Sequence, residues 1–585
     1  MMKEDEEAPN PNISPVDSPL EFSVKWESEE ESKLCWFQAV SNFPDPITPL
    51  DFSFLVKAVE IGSNLAAEHF EAADRGLFKL INSYAYFTVL APPDSPEVRV
   101  KRQGAVDRIE AAMRSTGAQW ATNWLPEIQK DLQFWDEFDL SEASAESLAD
   151  HLVETERRLH RAWEIHFLLI NPVILALHLF EEMHEDLWPE EPLLKAHELL
   201  LGFENKTVAG NRWLRKLGEM GRSDIRIGEA LMTERIDDVF VLLDGFPDGG
   251  KFRSALDEFL NEYGQRSESQ MLSVPSWLES PFPVVQALRA SLTSGESRRE
   301  PTEVLVERRE RRMEEIRNEL EGHPPLVSKK FWELLECAQV AQSLTEDHNY
   351  WIDIQVTFRV RQVCLELGRR QVAQGFLEKP EDVFYLTLAE LKDANGSALG
   401  AGSIEKVRAG RKTEDQYRKQ TPPPILGTLP TPEEFLARDN ALNRAYAKMA
   451  GPSGAPIEAS KDSDILNGFG VSSGTAVGRV KVLSKQKDAV EQLKPGDILV
   501  TGMITSFWVP LFSRISGLVT ARGGMLSHGA VVAREHGLPA VSGIVDAMEQ
   551  LKDGQLVEID GDQGTVRLLS DQGLESIDQR RGRDL

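Results

Sequence analysis

Cysteine is scarce. Cys35, Cys337 and Cys364 are the three in 585 residues, they stand far apart, and no CxxC pair occurs. That spacing excludes a disulfide framework and a cysteine-built zinc site, and it fits a chain at work in a reducing cytoplasm. Positive charge is also in short supply. Lys and Arg total 65 against 95 Asp and Glu, a formal net charge of −30, which opposes the cation-driven contacts that nucleic acids and anionic membranes demand. The start, "MMKEDEEAPNPNISPVDSPLEF", is acidic and Pro-rich and lacks the basic-then-apolar order of a signal peptide. No stretch of about 18 consecutive apolar residues stands out as a membrane span. A GxxxxGK[ST] loop, a Gly-rich nucleotide turn between strands and an HExxH motif are likewise missing, so no nucleotide site and no metal site is expected on this chain.

What is present divides in two. From about 20 to 440 the period is helical: 142–170 repeats apolar residues three and four apart, 302–322 reads as a charged solvent-facing helix, and 352–375 as a long helix stopped at Gly375. The stretch 449–464, "MAGPSGAPIEASKDSD", is rich in Gly, Pro and Ser and reads as a flexible linker. After it come short strand patterns, "GRVKVL", "DILVT", "GLVT", "QLVEID" and "TVRLL", each beside Gly or Asp turns. The expected fold is multi-domain: a disordered acidic start (1–20), a large all-α domain (21–448), the linker, a small α/β domain (465–572) and a tail (573–585).

The strongest local signal lies in "ARGGMLSHGAVVAREHGLPAVSG" (521–543). A strand runs into a glycine turn, Ser527 is placed as an N-cap, and His528 falls in the first turn of a helix. Gly523 and Gly524 allow a backbone that residues with a Cβ resist, and they let a bulky anion approach. A helix N-terminus favours a neutral imidazole and welcomes a phosphoryl group. Taken alone, a histidine there also serves as an ordinary surface or cap residue. A zinc site through His528 and His536 is disfavoured, since they are eight apart with no cysteine near.

This stretch resembles the phosphohistidine signature of the mobile domain of phosphoenolpyruvate-utilising enzymes. "GVSSGTAVGRVKVL", "LKPGDILV", "WVPLF" and "DGQLVEIDGDQGTV" follow that domain in the same order. The resemblance implies a β/β/α swivelling domain with His528 as the phosphorylated residue. It places Arg522, Gly523, Gly524 and Ser527 around the phosphoryl group, and Arg534 and Glu535 on the family's Ala-Arg-Glu. Leu526 stands where dikinase members usually carry Thr. "FPDPITPL", "FLNEYGQRSESQ", "EDHNYWIDIQVTFRVRQVCLELGRR" and "DVFYLT" resemble the substrate domain of the rifampicin and phenylphosphate branches of the family.

That similarity implies an ATP-dependent phosphotransferase subunit. A separate ATP-grasp subunit, using ATP and Mg2+, would phosphorylate His528, and the group would pass to the hydroxyl of a small alcohol or phenol held by the helical domain. Related enzymes release AMP and inorganic phosphate. His348 is the base that the stretch offers, and it serves equally as a helix cap. Arg266, Tyr350, Trp351 and Arg359 are substrate-binding candidates, with salt bridges and core packing as the alternatives for them. Eleven of the twelve tryptophans precede the linker, and a cavity lined by a few of them would suit an aromatic acceptor. Two other readings stay open: phosphoenolpyruvate-linked transfer with the barrel on another chain, and a non-catalytic phosphocarrier or regulatory scaffold.

Overall fold

The computed structural model describes residues 22–569 apart from 41, 234, 294–301, 395–399, 401, 451–463, 485–491, 505–507, 509–510 and 513. The acidic start, the tail and most of the expected linker lie outside the described residues.

The larger body is organised around Ala145–Leu187, a 43-residue helix. Ser144 caps it by accepting the backbone N–H of Ser147 at 3.0 Å. Its apolar residues face several neighbours at once, so Leu148, Leu159, Trp163, Leu169 and Phe180 are all buried. By length and composition this helix is apolar enough to cross a membrane, yet 72% of the relevant stretch is buried inside the fold. It is the central core helix. Lys57–His69, Pro96–Gln119 and Pro325–His348 pack along it. Lys57–His69 comes so close that a Cβ at Gly62 would lie 2.5 Å from the backbone of Trp163, a contact that only glycine permits.

The expected charged helix is Thr302–Leu320. The third expected helix is part of a longer rod. Pro325–His348 runs through a π-helical segment, Asn349–Ile354, into Gln355–Ala373, and the chain leaves at Gly375 with φ +80°. His348 is therefore inside a continuous helix and does not cap one. Asp347 caps a different helix, its Oδ1 accepting the backbone N–H of Lys206 at 2.8 Å, at the start of Lys206–Ser223.

The all-α expectation for this body needs correcting. It contains a four-stranded antiparallel sheet, β1 (Cys35–Gln38), β2 (Arg75–Ile81), β3 (Tyr84–Leu90) and β4 (Ile425–Gly427), in the order β2-β3-β1-β4. The β2–β3 hairpin turns on Asn82 and Ser83, both at positive φ (50° and 64°), the geometry that matches strand twist in a two-residue turn. β4 joins from more than three hundred residues away, pairing Trp36 with Leu426.

The smaller body holds β5 (Ile465–Asn467), β6 (Phe469–Ser472), β7 (Thr475–Val482), β8 (Asp497–Thr501), β9 (Ile515–Thr520), β10 (Ala540–Ser542), β11 (Leu556–Asp560) and β12 (Thr565–Leu569). They form one sheet in the order β5-β12-β11-β7-β8-β9-β10-β6. β7, β8, β9 and β10 run parallel, and the remaining pairs are antiparallel. Parallel neighbours need a crossover. Between β9 and β10 that crossover is the helix His528–Glu535, so His528 stands at the carboxyl end of a parallel strand, where open α/β sheets place their ligands.

Candidate active site

The loop from β9 to His528 is fixed by its own backbone chemistry. Gly523 has φ +103°, and its carbonyl accepts the hydroxyl of Ser542. Ser542 in turn accepts from Thr520 at 2.7 Å, which ties the turn to β9 and β10. Ser527 is extended (φ −69°, ψ 151°), and its hydroxyl accepts the N–H of Ala530, so it is the N-cap that its position in the sequence predicts. Gly529 lets the helix press on the neighbouring loop, because a Cβ there would lie 2.6 Å from Ile504.

Arg534 is buried, and burial draws its guanidinium down to about 10 against the opposing pull of Glu181 and Glu535. It donates to the carbonyls of Val471 at 2.9 Å and Met525 at 3.0 Å. Its work is to hold the loop in front of His528.

The loop is docked against the helical body. His528 Nδ1 lies 2.8 Å from Oε1 of Glu346. Glu346 is buried, and its other oxygen accepts the hydroxyl of Thr207 at 2.7 Å. Burial works against a charge on Glu346, but His528, Thr207 and Arg266 together hold its carboxyl below the usual range. Since the carboxylate accepts, Nδ1 donates, and Nε2 of His528 is left without a hydrogen-bond partner. Leu526, two residues before, is buried among the core residues of the helical body, so the position that carries Thr in dikinases here anchors the loop through apolar contact. Gly524 N–H donates to the Met449 carbonyl at 3.3 Å, and Asn211 Nδ2 lies 3.3 Å from His536 Nε2.

His528 opens onto a cavity of about 3400 Å³ between the two bodies. Arg522, Gly524 and Ser527 line it beside His528, as do Phe43, Phe78, Phe87, Trp163 and Phe167 on the helical side. Arg522 is half-buried and makes no ion pair among the described residues, which leaves its guanidinium available to an anion.

The remaining predicted residues fall in different places. His348 lines the cavity; its Nδ1 donates to the Leu344 carbonyl at 2.7 Å, so Nε2 keeps its lone pair. Burial, reinforced by His166, holds its pKa at about 4. Arg266 is buried, with Nε and Nη2 unpartnered; burial lowers its pKa and Glu346 opposes the shift. It acts on Glu346 through its charge and is absent from the cavity wall. Tyr350 donates its hydroxyl to the Glu262 carbonyl at 2.7 Å and packs on Tyr263. Trp351 lies under the Lys206 ammonium, 5.1 Å from the ring centroid. Arg359 makes a two-pronged bond to Asp136 at 2.9 and 2.8 Å. Tyr350, Trp351 and Arg359 do not line the cavity; the first two pack in the helical core, and the third forms an ion pair.

Three residues reach the site without having been singled out in the sequence. Glu346 opens the "EDHNYWID" stretch, and Asp353 closes it. His166 comes from the middle of Ala145–Leu187, and its Nδ1 lies 3.0 Å from Asp353 Oδ1. Local spacing carries no sign of the His166–Asp353 pairing, because 187 residues separate the two.

Comparison with known proteins accords with this geometry. Residues 493–564 match the family described as PEP-utilising enzyme, mobile domain, and residues 166–346 match the rifampicin phosphotransferase fourth domain. The first of these matches falls within the smaller body and spans the His528 loop. Over 562 residues the chain is 35% identical to chondramide synthase cmdD of Chondromyces crocatus, covering 94% of this chain and 14% of that protein. It is 26% identical to the uncharacterized phosphotransferase YvkC of Bacillus subtilis, covering 92% of this chain and 62% of that one. A rifampicin phosphotransferase of Streptomyces sviceus is 31% identical over 59% of this chain and 38% of its own length. The chain spans less than two thirds of each of these relatives.

Proposed function

We propose that this chain is a phosphotransferase in which His528 carries a phosphoryl group to an acceptor hydroxyl bound in the cavity of the helical domain. The observation that carries this reading is the docking of His528 on Glu346 at the edge of that cavity. Relatives named phosphotransferase and phosphoenolpyruvate synthase support the same class of chemistry.

In the docked state Glu346 holds Nδ1, and Nε2, buried and without a hydrogen-bond partner, is the atom assigned the phosphoryl group, which the loop must shift to admit. The P–N bond breaks as the acceptor oxygen attacks in line, and its electron pair returns to Nε2; the Nδ1 proton that Glu346 holds makes the phosphorylated ring a cation, so the imidazole leaves neutral. Positioning and charge neutralisation supply most of the catalysis in such a transfer. Arg522 faces the departing phosphoryl oxygens. The hydroxyl proton passes to Nε2 of His348, which keeps its lone pair because the ring N–H is on Nδ1 and is donated to the Leu344 carbonyl.

The donor half is supplied by an ATP-grasp partner using ATP and Mg2+, so that ATP, alcohol and water give AMP, phosphoester and phosphate. The acceptor is an apolar alcohol or phenol. The aromatic wall of Phe43, Phe78, Phe87 and Trp163 favours it, and the chain's net charge of −30 disfavours anionic acceptors. A cavity of about 3400 Å³ has room for more than one ring.

The test is a panel of phenols, benzyl alcohols, larger aromatic alcohols and sugars, assayed with the cognate ATP-grasp protein for AMP release. Turnover with apolar alcohols is expected, and a preference for sugars would overturn the acceptor class. Release of pyruvate from phosphoenolpyruvate in place of AMP would move the donor assignment to the barrel-linked reading.

A further inference from the structure

Beyond the contact between His528 and Glu346, three side chains converge on the cavity wall from separate stretches of helix. His166 comes from Ala145–Leu187, His348 ends Pro325–His348, and Asp353 sits in the π-helical segment Asn349–Ile354. One ligand-type atom from each lies within 4.8 Å of the other two. His166 Nδ1 and Asp353 Oδ1 are 3.0 Å apart. Two donors at right angles, each about 2.1 Å from one cation, are separated by about 3.0 Å.

The outer bonds match what a metal site needs. His348 donates Nδ1–H to Leu344, which leaves the Nε2 lone pair fixed in direction. Gln270 donates to the second oxygen of Asp353 at 3.1 Å and holds that carboxylate in place. Partners of this kind orient ligands and set the imidazole tautomer. The π-helical turn supplies the offset: an extra residue per turn rotates Asp353 toward the side that His348 occupies, as π segments at functional sites often do.

We propose that His166, His348 and Asp353 form a binding site for a divalent transition-metal ion, open toward the cavity. Two imidazoles and one carboxylate suit Mn2+, Fe2+, Co2+ or Zn2+ better than Mg2+ or Ca2+, which favour oxygen throughout. All three residues line the cavity, so the remaining coordination positions face it and take water or the oxygen of a bound ligand. Metal binding takes Nδ1 of His166, whose proton moves to Nε2 of the same ring, and engages Nε2 of His348. A loaded site thus activates a hydroxyl by coordination, where the metal-free site uses His348 as a base. The site shares His348 with the proposed transfer, but its ligands do not include His528, so metal binding is measured without any phosphoryl transfer.

The experiment uses the untagged full-length chain, stripped with EDTA and titrated with Co2+, Mn2+ and Zn2+. Calorimetry is expected to show one equivalent bound. Co2+ is expected to give d–d absorption typical of nitrogen and oxygen ligands. His348→Gln and Asp353→Asn, which keep side-chain size, should each weaken binding at least tenfold. Gln270→Ala, which leaves the ligands in place, should weaken it less. If a variant does not fold, the Co2+ spectrum and binding stoichiometry of the wild-type chain decide the matter. Absence of stoichiometric binding by all three ions would overturn the proposal, as would unchanged affinity in both folded ligand variants.

Discussion

His528 Nδ1 and Glu346 Oε1 lie 2.8 Å apart across 182 residues and two structural bodies. The carboxylate is the fixed partner, since Glu346 is buried and its second oxygen is held by the Thr207 hydroxyl; on the proposed reading the histidine is the one that moves. A buried acid in that position recognises a donating imidazole and leaves the other ring nitrogen for chemistry.

Replacing the carboxylate by its amide tests this division of labour. Glu346→Gln keeps the shape and an acceptor oxygen but removes the charge that keeps Nδ1 protonated, and with it the neutral leaving imidazole. A charge-assisted bond is worth about 1.5–3 kcal/mol, so transfer from phospho-His528 to the acceptor is expected to fall tenfold or more in single-turnover assays. Phosphorylation of His528 by the donor should stay within about twofold, because that step does not involve the Glu346 contact. Equal losses in both half-reactions would show that Glu346 acts only on folding.

The His528→Ala variant is expected to lose both the acid-labile label and all turnover. A freely exposed first-turn residue would change stability little, but His528 is only 18% exposed at its side chain and sits against a carboxylate that is 2% exposed. The substitution leaves Glu346 buried without its partner. The domains should therefore separate more often, readable as an increased radius of gyration in small-angle scattering. A label retained on the chain would place the carrier elsewhere.

The loop before His528 depends on a left-handed glycine. At Gly523, with φ +103°, an added Cβ would also meet the Ser527 hydroxyl at 3.1 Å. Gly523→Ala is expected to cost about 1–3 kcal/mol of local strain and to reduce labelling strongly in a chain that still folds. Ser527→Ala removes only the cap and should cost about 1 kcal/mol, with labelling reduced but measurable. Equal labelling in the two variants would mean that the turn geometry is unimportant.

Much of this site was legible in the sequence because it is local. The glycine turn, the N-cap and the first-turn histidine occupy six consecutive residues, and β7, β8, β9, β11 and β12 carry their own alternation and turn signals. β5, β6 and β10 have only three or four residues each, too few for a period to show. The sheet β1–β4 was hidden because β4 is three residues long and pairs across nearly the whole helical body. Arg359 and Tyr350 looked like ligand groups in one dimension, and only packing reveals Asp136 and the Glu262 carbonyl as their partners. The His166–Asp353 pairing has no local signature at all.

Acid stability follows from buried neutral histidines away from the site. His151 is stacked between Phe134 and Phe138, with ring centroids 4.5 and 3.8 Å away. Burial and then Arg158 hold its pKa at about 4, against Glu154. His184, beside Trp188, is likewise held at about 4 by burial and Arg312. In the unfolded chain a histidine titrates near 6.5. The unfolded state therefore binds protons over the window from about 6.5 down to about 4 that the folded state does not. The contribution is fully present above pH 6.5 and is lost as pH falls toward 4. Thermal denaturation is expected to show Tm dropping by about 5 °C or more between pH 7 and 4.5. His151→Leu should flatten that slope, and an unchanged slope would assign the acid sensitivity to other groups.

The swivelling step is tested by holding the docked state. Asn211 Nδ2 and His536 Nε2 lie 3.3 Å apart on the two bodies, and neither residue touches the cavity wall. Cysteines at these two positions, joined by a short cleavable bismaleimide, would keep His528 on Glu346. Cys35 and Cys337 are half-buried and would be replaced by serine, while Cys364 is buried and protected from the reagent. A chain locked before labelling should accept less than about 1% of the normal label, because His528 cannot reach the donor. A chain labelled first and then locked should still transfer its phosphoryl group once to the acceptor, since docking is the transfer geometry. Cleaving the linker should restore repeated turnover. Full repeated turnover in the locked chain would show that His528 meets donor and acceptor in a single arrangement, and the carrier mechanism would then need no domain movement.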